Sequence, residues 1–141
     1  MRALLVGAAG FIGSNSTRRL LAERWAVTGV DNFTAGRRGN LDACLSHPRF
    51  DFIEAYAVYP LEIADKLDWV FHFASPASPP KYLASPIETL ESTPKVPHNL
   101  LTLAHSKGAS FFFASTSEIY GDPLVHPQPE SYWGHVVHGS R

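Results

Sequence analysis

A glycine-spaced turn near the start of the chain constrains its fold more than any other feature. Residues 7–13 read Gly-Ala-Ala-Gly-Phe-Ile-Gly, directly after the apolar run 2–6. An apolar run that ends in glycines is typical of a buried parallel strand. We expect Gly7 to form a tight turn, Gly10 to let a ligand approach the backbone, and Gly13 to pack a helix against the strand. Strand, turn and helix together predict a βαβ unit whose helix N terminus binds a phosphate group.

An acidic residue at the end of the second predicted strand narrows this prediction to a dinucleotide. Asp31 lies 18 residues beyond Gly13, close to the spacing of about 20 that is typical of Rossmann sites. Its carboxylate can accept hydrogen bonds from both hydroxyls of the adenosine ribose and would repel a 2′-phosphate, which favours NAD over NADP. Arg37 and Arg38 favour NADP, because arginines can hold that phosphate, but we interpret them as solvated loop charges. NAD is therefore the predicted cofactor.

Strands and helices alternate along the chain. Helical periodicity predicts helices at 11–23 and 87–107, with a loop and short helix over 32–47, and apolar runs predict strands at 2–6, 26–30, 50–53, 67–73 and 109–114. This alternation predicts an α/β fold, a Rossmann-type doubly wound parallel sheet with the strand order 3-2-1-4-5. Pro94 and Pro97 lie inside the second long helix, where each costs about 3 kcal/mol and weakens the helix.

Composition excludes several other classes of protein. The formal net charge is −1 and the pair Arg37–Arg38 is too short for a basic patch, so no nucleic-acid partner is expected. No apolar run approaches the roughly 20 residues that span a bilayer, and the strand at 2–6 leaves no room for a signal peptide. Cys44 is the only cysteine, which fits a reducing compartment. We therefore expect a soluble cytoplasmic domain without a membrane partner or a metal site.

Longer stretches of sequence carry a resemblance to a known family. The spacing Gly-x-x-Gly-x-x-Gly resembles the extended short-chain dehydrogenase/reductase superfamily. Within it, the segments 30–33, 72–80, 115–123 and 126–134 resemble the UDP-glucuronate decarboxylases, also called UDP-xylose synthases. Residues 72–80 read His-Phe-Ala-Ser-Pro-Ala-Ser-Pro-Pro, which the related dTDP-glucose 4,6-dehydratases and UDP-glucose 4-epimerases do not share. The resemblance implies that NAD takes a hydride from C4 of UDP-glucuronate, that the resulting β-keto acid loses CO₂, and that the returned hydride gives UDP-xylose.

The resemblance also assigns roles to individual residues. It implies cofactor binding by the pyrophosphate loop, at Gly7, Gly10, Phe11, Ile12 and Gly13. Elsewhere in the dinucleotide cleft it implies cofactor binding by Asp31, Asn32, Phe33, Gly36, Phe73, Ser75 and Ser92. Thr116 matches the hydroxyl that hydrogen-bonds the reacting C4 oxygen, Glu118 matches an acidic catalytic residue, and Tyr82 matches a substrate-side tyrosine. Without the resemblance, Thr116 is equally well explained as a strand-ending hydroxyl that satisfies backbone groups, Phe73 as core, and Tyr82 as an exposed loop aromatic.

The chain departs from the family at its catalytic centre. The superfamily uses a Tyr-x-x-x-Lys pair, in which the tyrosine exchanges a proton with the C4 oxygen and the lysine charge lowers the tyrosine pKa. No tyrosine of this chain has a lysine four positions later, and the resemblance implies that the pair follows Arg141. Tyr56 stands where the family has an adenine-side aspartate, and Glu91 and Thr93 replace a lysine and an asparagine.

Two different classes of function are therefore open. The first is the NAD-binding domain, over 1–141, of a decarboxylase-like protein without its later strands and sugar-nucleotide subdomain, inactive alone. The second is a non-catalytic NAD-binding or partner-binding module, and another sugar-nucleotide dehydratase or epimerase is a further alternative. The strand at 109–114 would lie at an edge of the sheet with three phenylalanines, Phe111 to Phe113. Because a hydrophobic edge strand invites pairing, we expect self-association through this edge.

Overall fold

Five parallel strands form a single sheet in the computed structural model, which describes residues 1–75 and 83–136. The order of the strands is β3-β2-β1-β4-β5. Their bounds are β1 (Arg2–Val6), β2 (Ala26–Asp31), β3 (Phe50–Glu54), β4 (Trp69–His72) and β5 (Ser110–Phe113). The predicted α/β class and the predicted order 3-2-1-4-5 are both confirmed.

Among the elements that the structure describes, three α-helices connect these strands. They are α1 (Phe11–Ala22), α2 (Asp42–Leu45) and α3 (Pro86–Lys107), and short 3₁₀ helices occupy Arg38–Leu41 and Ser117–Tyr120. The predicted bounds agree with the observed ones to within one residue at most ends. Strand β4 is shorter than the predicted 67–73, because Leu67 lies in the core before the strand begins. Phe73 follows the last residue of the strand, although its N–H still donates to the Val6 carbonyl at 2.9 Å. Among the described residues no helix has the length and apolar character to cross a bilayer.

Helices cover both faces of the sheet, so alternate residues of each strand enter two different cores. In β1, Leu4 and Val6 join the core under α3, which includes Leu100. Leu5 points to the opposite core, which lies under α1 and α2 and includes Cys44. Burial on both faces explains why β1 is an uninterrupted apolar run rather than an alternating one.

The topology places a crevice at the carboxyl ends of the central strands. Strand β1 pairs with β2 on one side and with β4 on the other, both in parallel. The chain thus leaves β1 in one direction and returns to β4 in the other. Open parallel sheets bind ligands at such a switch point, outside the carboxyl ends of the strands. Here that position is marked by Val6, Asp31 and His72.

Helix α3 is continuous through both of its interior prolines. Pro94 and Pro97 lie within the helical span although each lacks a backbone N–H to donate. Val96, Leu100 and Ala104 are buried on one side of the helix and pack against the sheet. This packing maintains the helical path, so the predicted weakening does not appear as a break in the helix.

Candidate functional site

Gly7 forms the turn that ends β1. Its φ is +88°, a left-handed conformation that favours glycine. A Cβ on Gly7 would lie 2.7 Å from the backbone nitrogen of Ala74 and 2.8 Å from the carbonyl carbon of Phe73. The Gly7 N–H donates to the Val30 carbonyl at 2.8 Å. Gly7 therefore packs the turn against the ends of β2 and β4 where no other residue fits.

Gly13 brings α1 against the same turn. A Cβ on Gly13 would overlap the carbonyl oxygen of Gly7. The close helix packing expected at Gly13 is therefore present. Gly10 precedes α1 in an extended conformation, and of the described atoms only the Gly7 oxygen, at 3.3 Å, lies within van der Waals reach of its Cβ position. The backbone at Gly10 is thus open on the side of the crevice, as an approaching ligand requires.

Some N–H groups of the glycine loop donate to backbone carbonyls, and others are available to a ligand. The amides of Gly7 and Ala8 donate to the Val30 carbonyl, and the amide of Gly10 donates to Gly7. Helix α1 has no side-chain cap from the part of the chain that the structure describes, so its first-turn amides at Phe11, Ile12 and Gly13 are left for an anion. The side chains of Phe11 and Ile12 are exposed. Any phosphate contact by these two residues would therefore come from their backbone.

Asp31 holds the loop as well as facing the crevice. Its residue surface is only 8% exposed. Oδ2 accepts a hydrogen bond from the Ala9 N–H at 2.8 Å, and Oδ1 accepts one from the Phe33 N–H at 2.8 Å. A carboxylate oxygen has two lone pairs, so each retains one for a ribose hydroxyl. Sequence reasoning identified the residue but not its bond to Ala9.

Most of the predicted cofactor-binding residues line one cleft. Its walls come from the ends of β1, β2 and β4, the loop after β2, and the first half of α3. The predicted residues that it brings together are Gly7, Gly10, Asp31, Asn32, Gly36, Phe73, Ser75 and Ser92. Gly36 is a close-packing position, since its Cβ would lie 2.8 Å from the Cβ of Ala9. The glycine spacing, Asp31 and the residues implied by the family resemblance thus form a set that is contiguous in space.

Phe33 lies apart from this cleft lining. Its ring packs on Phe52 with centroids 5.4 Å apart, and the Arg38 guanidinium stands 5.1 Å from its ring centroid. Arg38 also forms a 2.9 Å salt bridge with Glu54. Phe33 therefore supports the loop after β2 from behind. The link between Phe33 and the site is its backbone N–H, which donates to Asp31.

The two predicted catalytic residues lie outside the cleft lining. Thr116 and Glu118 are exposed, and Thr116 Oγ1 accepts the Glu118 N–H at 3.2 Å, where it caps the short 3₁₀ helix. This geometry matches the interpretation of Thr116 as a hydroxyl that satisfies the backbone. Their catalytic roles stay predictions. Tyr82 and residues 76–80 of the family-like stretch lie outside the described residues.

Residues that sequence reasoning did not assign to the site also line the cleft. On α3 and its N-cap, Ser85, Glu88 and Thr89 share the cleft-facing side with Ser92. Their spacing of three and four residues is the helical signal that could have identified them. Tyr56, which the resemblance places at the adenine-side position of the family, follows β3 and lines the cleft together with Asp31.

His72 ends β4 beside the crevice but is buried under it. Its ring stacks on Phe113 with centroids 5.1 Å apart, and its Nδ1 has no hydrogen-bond partner among the described residues. Burial lowers the pKa of His72 to about 4. The imidazole is therefore neutral at physiological pH. Within residues 1–75 and 83–136, no cluster of three His, Cys, Asp or Glu side chains could hold a metal ion.

The site fits the phosphates and adenosine ribose of a dinucleotide. Close-packed glycines bring the backbone to the crevice, uncapped amides begin α1, and a buried carboxylate ends β2. These are the features that a Rossmann site presents to a pyrophosphate and to a ribose.

Curated proteins similar to this chain include UDP-glucuronic acid decarboxylases. UDP-glucuronic acid decarboxylase 1 of Xenopus tropicalis is 48% identical over 135 residues, which are 96% of this chain and 32% of that protein. UDP-glucuronic acid decarboxylase 5 of Arabidopsis thaliana is 44% identical over 137 residues, which are 96% of this chain and 40% of that protein. The chain thus spans 32% and 40% of the length of these two relatives, and the resemblance seen in the sequence is confirmed.

Solved structures and a family comparison agree with this likeness. A UDP-galactose 4-epimerase superposes with a TM-score of 0.80 at 31% identity, covering 94% of this chain and 43% of that one. The dTDP-glucose 4,6-dehydratase DesIV of Streptomyces venezuelae, solved with NAD bound, superposes with a TM-score of 0.79 at 28% identity, covering 94% and 44%. The sequence model of the NAD dependent epimerase/dehydratase family matches residues 3–135. With this match, the glycine loop and the Asp31 cleft, the chain belongs to the NAD dependent epimerase/dehydratase family.

Proposed function

We propose that this chain is the NAD-binding part of a UDP-glucuronate decarboxylase-type protein. The observation that carries the proposal is the cleft in which Gly7, Gly10 and the buried Asp31 carboxylate meet at the switch point of the sheet. The 48% identity to a UDP-glucuronic acid decarboxylase supports the choice of this relative over the epimerases and the dehydratases. We therefore propose residues 1–141 as one NAD-binding domain.

NAD rather than NADP is the proposed cofactor. The Asp31 carboxylate lines the cleft and would repel a 2′-phosphate on the adenosine ribose, because both groups are negatively charged. Arg38 is held between Glu54 and the ring of Phe33, which leaves it poorly placed to neutralise that phosphate. Titration calorimetry with both dinucleotides tests this preference. We expect NAD to bind more tightly than NADP, and equal or tighter binding of NADP would contradict the proposal.

UDP-glucuronate is the proposed substrate of the whole protein. Bound NAD would supply a reversible hydride acceptor for a sugar C4, so that the net reaction is a decarboxylation. The part of the work that falls to this chain is to bind and orient the dinucleotide through the glycine loop, Asp31 and the polar side of α3. We assign no proton transfer to residues of the cleft. Thr116 and Glu118 are proposed for the catalytic centre on the resemblance; in the described structure both are exposed and outside the cleft lining.

The second candidate is a non-catalytic NAD-binding or partner-binding module. It is favoured by the absence from the sequence of any tyrosine followed by a lysine four positions later. Complementation separates the two candidates. The chain is mixed with a separately expressed C-terminal part of a related decarboxylase, and UDP-xylose is measured. The enzyme part is supported if the mixture with the unsubstituted chain forms UDP-xylose and the mixture with a Gly13→Leu variant does not. If neither mixture forms UDP-xylose, the module is supported.

We also propose that copies of the chain associate through β5. Phe112 and Phe113 are 44% and 50% exposed on this strand, which lies at one edge of the described sheet. A cytoplasmic location stays a prediction, supported by a single cysteine that is buried and unpaired.

A further inference from the structure

The Asp31 end of the cleft is closed by the segment that follows β3. Strand β3 pairs with β2 on the side away from β1, and the Ala55 N–H donates to the Asp31 carbonyl at 3.1 Å. A nucleoside with its phosphates at α1 and its ribose at Asp31 must direct its base away from the glycine loop. The base would then lie between the loop at 32–36 and the segment at 55–57, both of which line the cleft.

Among the described residues, Tyr56 is the only aromatic residue in this end of the cleft lining. It is 37% exposed and lines the cleft together with the small residues Ala55 and Ala57. Its ring meets that of Tyr59 edge to face, with centroids 6.3 Å apart and planes at 84°. An aromatic ring flanked by alanines gives a flat base a surface to stack on.

The segment around Tyr56 is fixed in place from three directions. The Tyr59 N–H donates to the Tyr56 carbonyl at 3.0 Å, which closes a turn. Asn99 of α3 donates through Nδ2 to the carbonyls of Val58, at 2.8 Å, and Ala57, at 3.2 Å. Ala57 is itself buried in the core under α3. The position of Tyr56 therefore does not depend on a ligand.

Few of the described side chains at this end offer a free oxygen to the 6-amino group of an adenine. Both oxygens of Asp31 accept backbone N–H groups, and Asn32 Oδ1 accepts the Thr34 N–H at 3.1 Å. The other carboxylate in the cleft lining, Glu88, is on α3. A phenol hydroxyl can both donate and accept, and stacking on a ring depends little on the identity of the base.

We propose that Tyr56 is the stacking surface for the cofactor base and makes this site tolerant of the base. The inference rests on the proposed function, that the cleft binds NAD. It predicts that nicotinamide hypoxanthine dinucleotide, which replaces the 6-amino group of adenine with an oxygen, binds nearly as well as NAD.

Calorimetric titration of both dinucleotides into the 141-residue chain and its variants tests the proposal. We expect the two affinities of the unsubstituted chain to agree within about threefold. Tyr56→Ala should weaken both by about tenfold, since stacking is worth about 1–3 kcal/mol per base. Tyr56→Phe should retain both affinities. Tyr56→Asp should bind NAD in preference to the hypoxanthine analogue, because a carboxylate accepts from an amino group.

Trp133→Ala is the control, because Trp133 is an exposed aromatic residue outside the cleft lining. It should change either affinity by less than about threefold. Thermal unfolding of each variant shows whether the fold is retained. If NAD binds the unsubstituted chain but Tyr56→Ala binds it equally well, or if NAD is preferred over the analogue by tenfold or more, the inference is wrong and the proposed function stands. If neither dinucleotide binds the unsubstituted chain, the proposed function fails as well.

Discussion

The backbone N–H of Ala9 donates a 2.8 Å hydrogen bond to Oδ2 of Asp31, which ties the middle of the glycine loop to the end of β2. The two residues are 22 positions apart in sequence. One buried carboxylate thus holds the loop in shape and is also the proposed acceptor for a ribose hydroxyl. Changes at Asp31 should therefore affect stability and cofactor preference together.

Replacing Asp31 with alanine tests this double role. The substitution leaves the N–H groups of Ala9 and Phe33 without their acceptor, so we expect the free energy of unfolding to fall by about 2 kcal/mol. The preference for NAD over NADP should narrow, because the charge that repels a 2′-phosphate is gone. Urea unfolding and titration with both dinucleotides measure the two effects. Asp31→Asn, which keeps one acceptor oxygen, is the control and should lose less stability; an undiminished preference for NAD in Asp31→Ala would count against the ribose role.

The isolated chain should not convert UDP-glucuronate to UDP-xylose. It lacks a Tyr-x-x-x-Lys pair, and general acid–base help of this kind is typically worth 10²–10⁴-fold in rate. Chromatography of the nucleotide sugars, with NAD present, measures the product. A related full-length decarboxylase under the same conditions is the positive control. Turnover by the pure chain above the rate without protein would show that another group performs the proton transfer.

Stability should fall as the pH drops from about 6.5 toward 4, in part because of His72. Burial lowers the pKa of His72 to about 4 in the folded chain, while an unfolded histidine titrates near 6.5. The unfolded state therefore binds a proton that the folded state does not. The free energy of unfolding therefore carries no penalty from His72 above about pH 6.5, and it falls as the pH drops from there to 4.

Urea unfolding at pH 7 and pH 5 measures this dependence. The difference between the folded and unfolded pKa values of His72 lowers the free energy of unfolding by about 2 kcal/mol between pH 7 and pH 5. His72→Asn, which does not titrate, should lose about 2 kcal/mol less over the same interval. Identical losses in the two proteins would place the pH dependence elsewhere.

Self-association should depend on the edge formed by β5. The other edge of the described sheet, β3, has the exposed charges Asp51 and Glu54, whereas β5 reads Ser-Phe-Phe-Phe. Charged residues on an edge strand discourage pairing with another chain. Light scattering should therefore detect oligomers or aggregates of the unsubstituted chain, and Ser110→Lys should reduce them. Ser106→Lys places the same charge on the exposed side of α3 and should leave association unchanged; a monodisperse monomer of the unsubstituted chain would contradict the prediction.

The sheet could be predicted from sequence because its signals are local. Each strand is a short apolar run, and the glycine loop after β1 indicates both a parallel pairing and a helix start. Strand β4 was predicted too long because apolar character marks burial and not hydrogen bonding. Leu67 is fully buried although it precedes the strand.

The cleft was less predictable where it depends on contacts between distant segments. Asn99 Nδ2 donates to the carbonyl of Ala57, which lies 42 positions earlier in the sequence. Neither residue type by itself predicts such a bond. The position of Tyr56 in the cleft lining follows from that bond and from the pairing of β3 with β2. By contrast, the bond from the Glu118 N–H to Thr116 Oγ1 is local, and the sequence had already indicated backbone bonding as the alternative role of Thr116.

Ala9 is held on both sides, since its carbonyl accepts the Arg37 N–H at 3.1 Å and Asn40 Nδ2 at 2.7 Å while its N–H binds Asp31. Fixing the backbone of one residue costs about 1–2 kcal/mol in conformational entropy. For this loop that entropy is lost when the chain folds and not when a ligand arrives. The loop is thus preorganised, and a dinucleotide that binds it need not order it. Association should then follow simple bimolecular kinetics, with an observed rate that rises in proportion to ligand concentration and shows no slow rearrangement step.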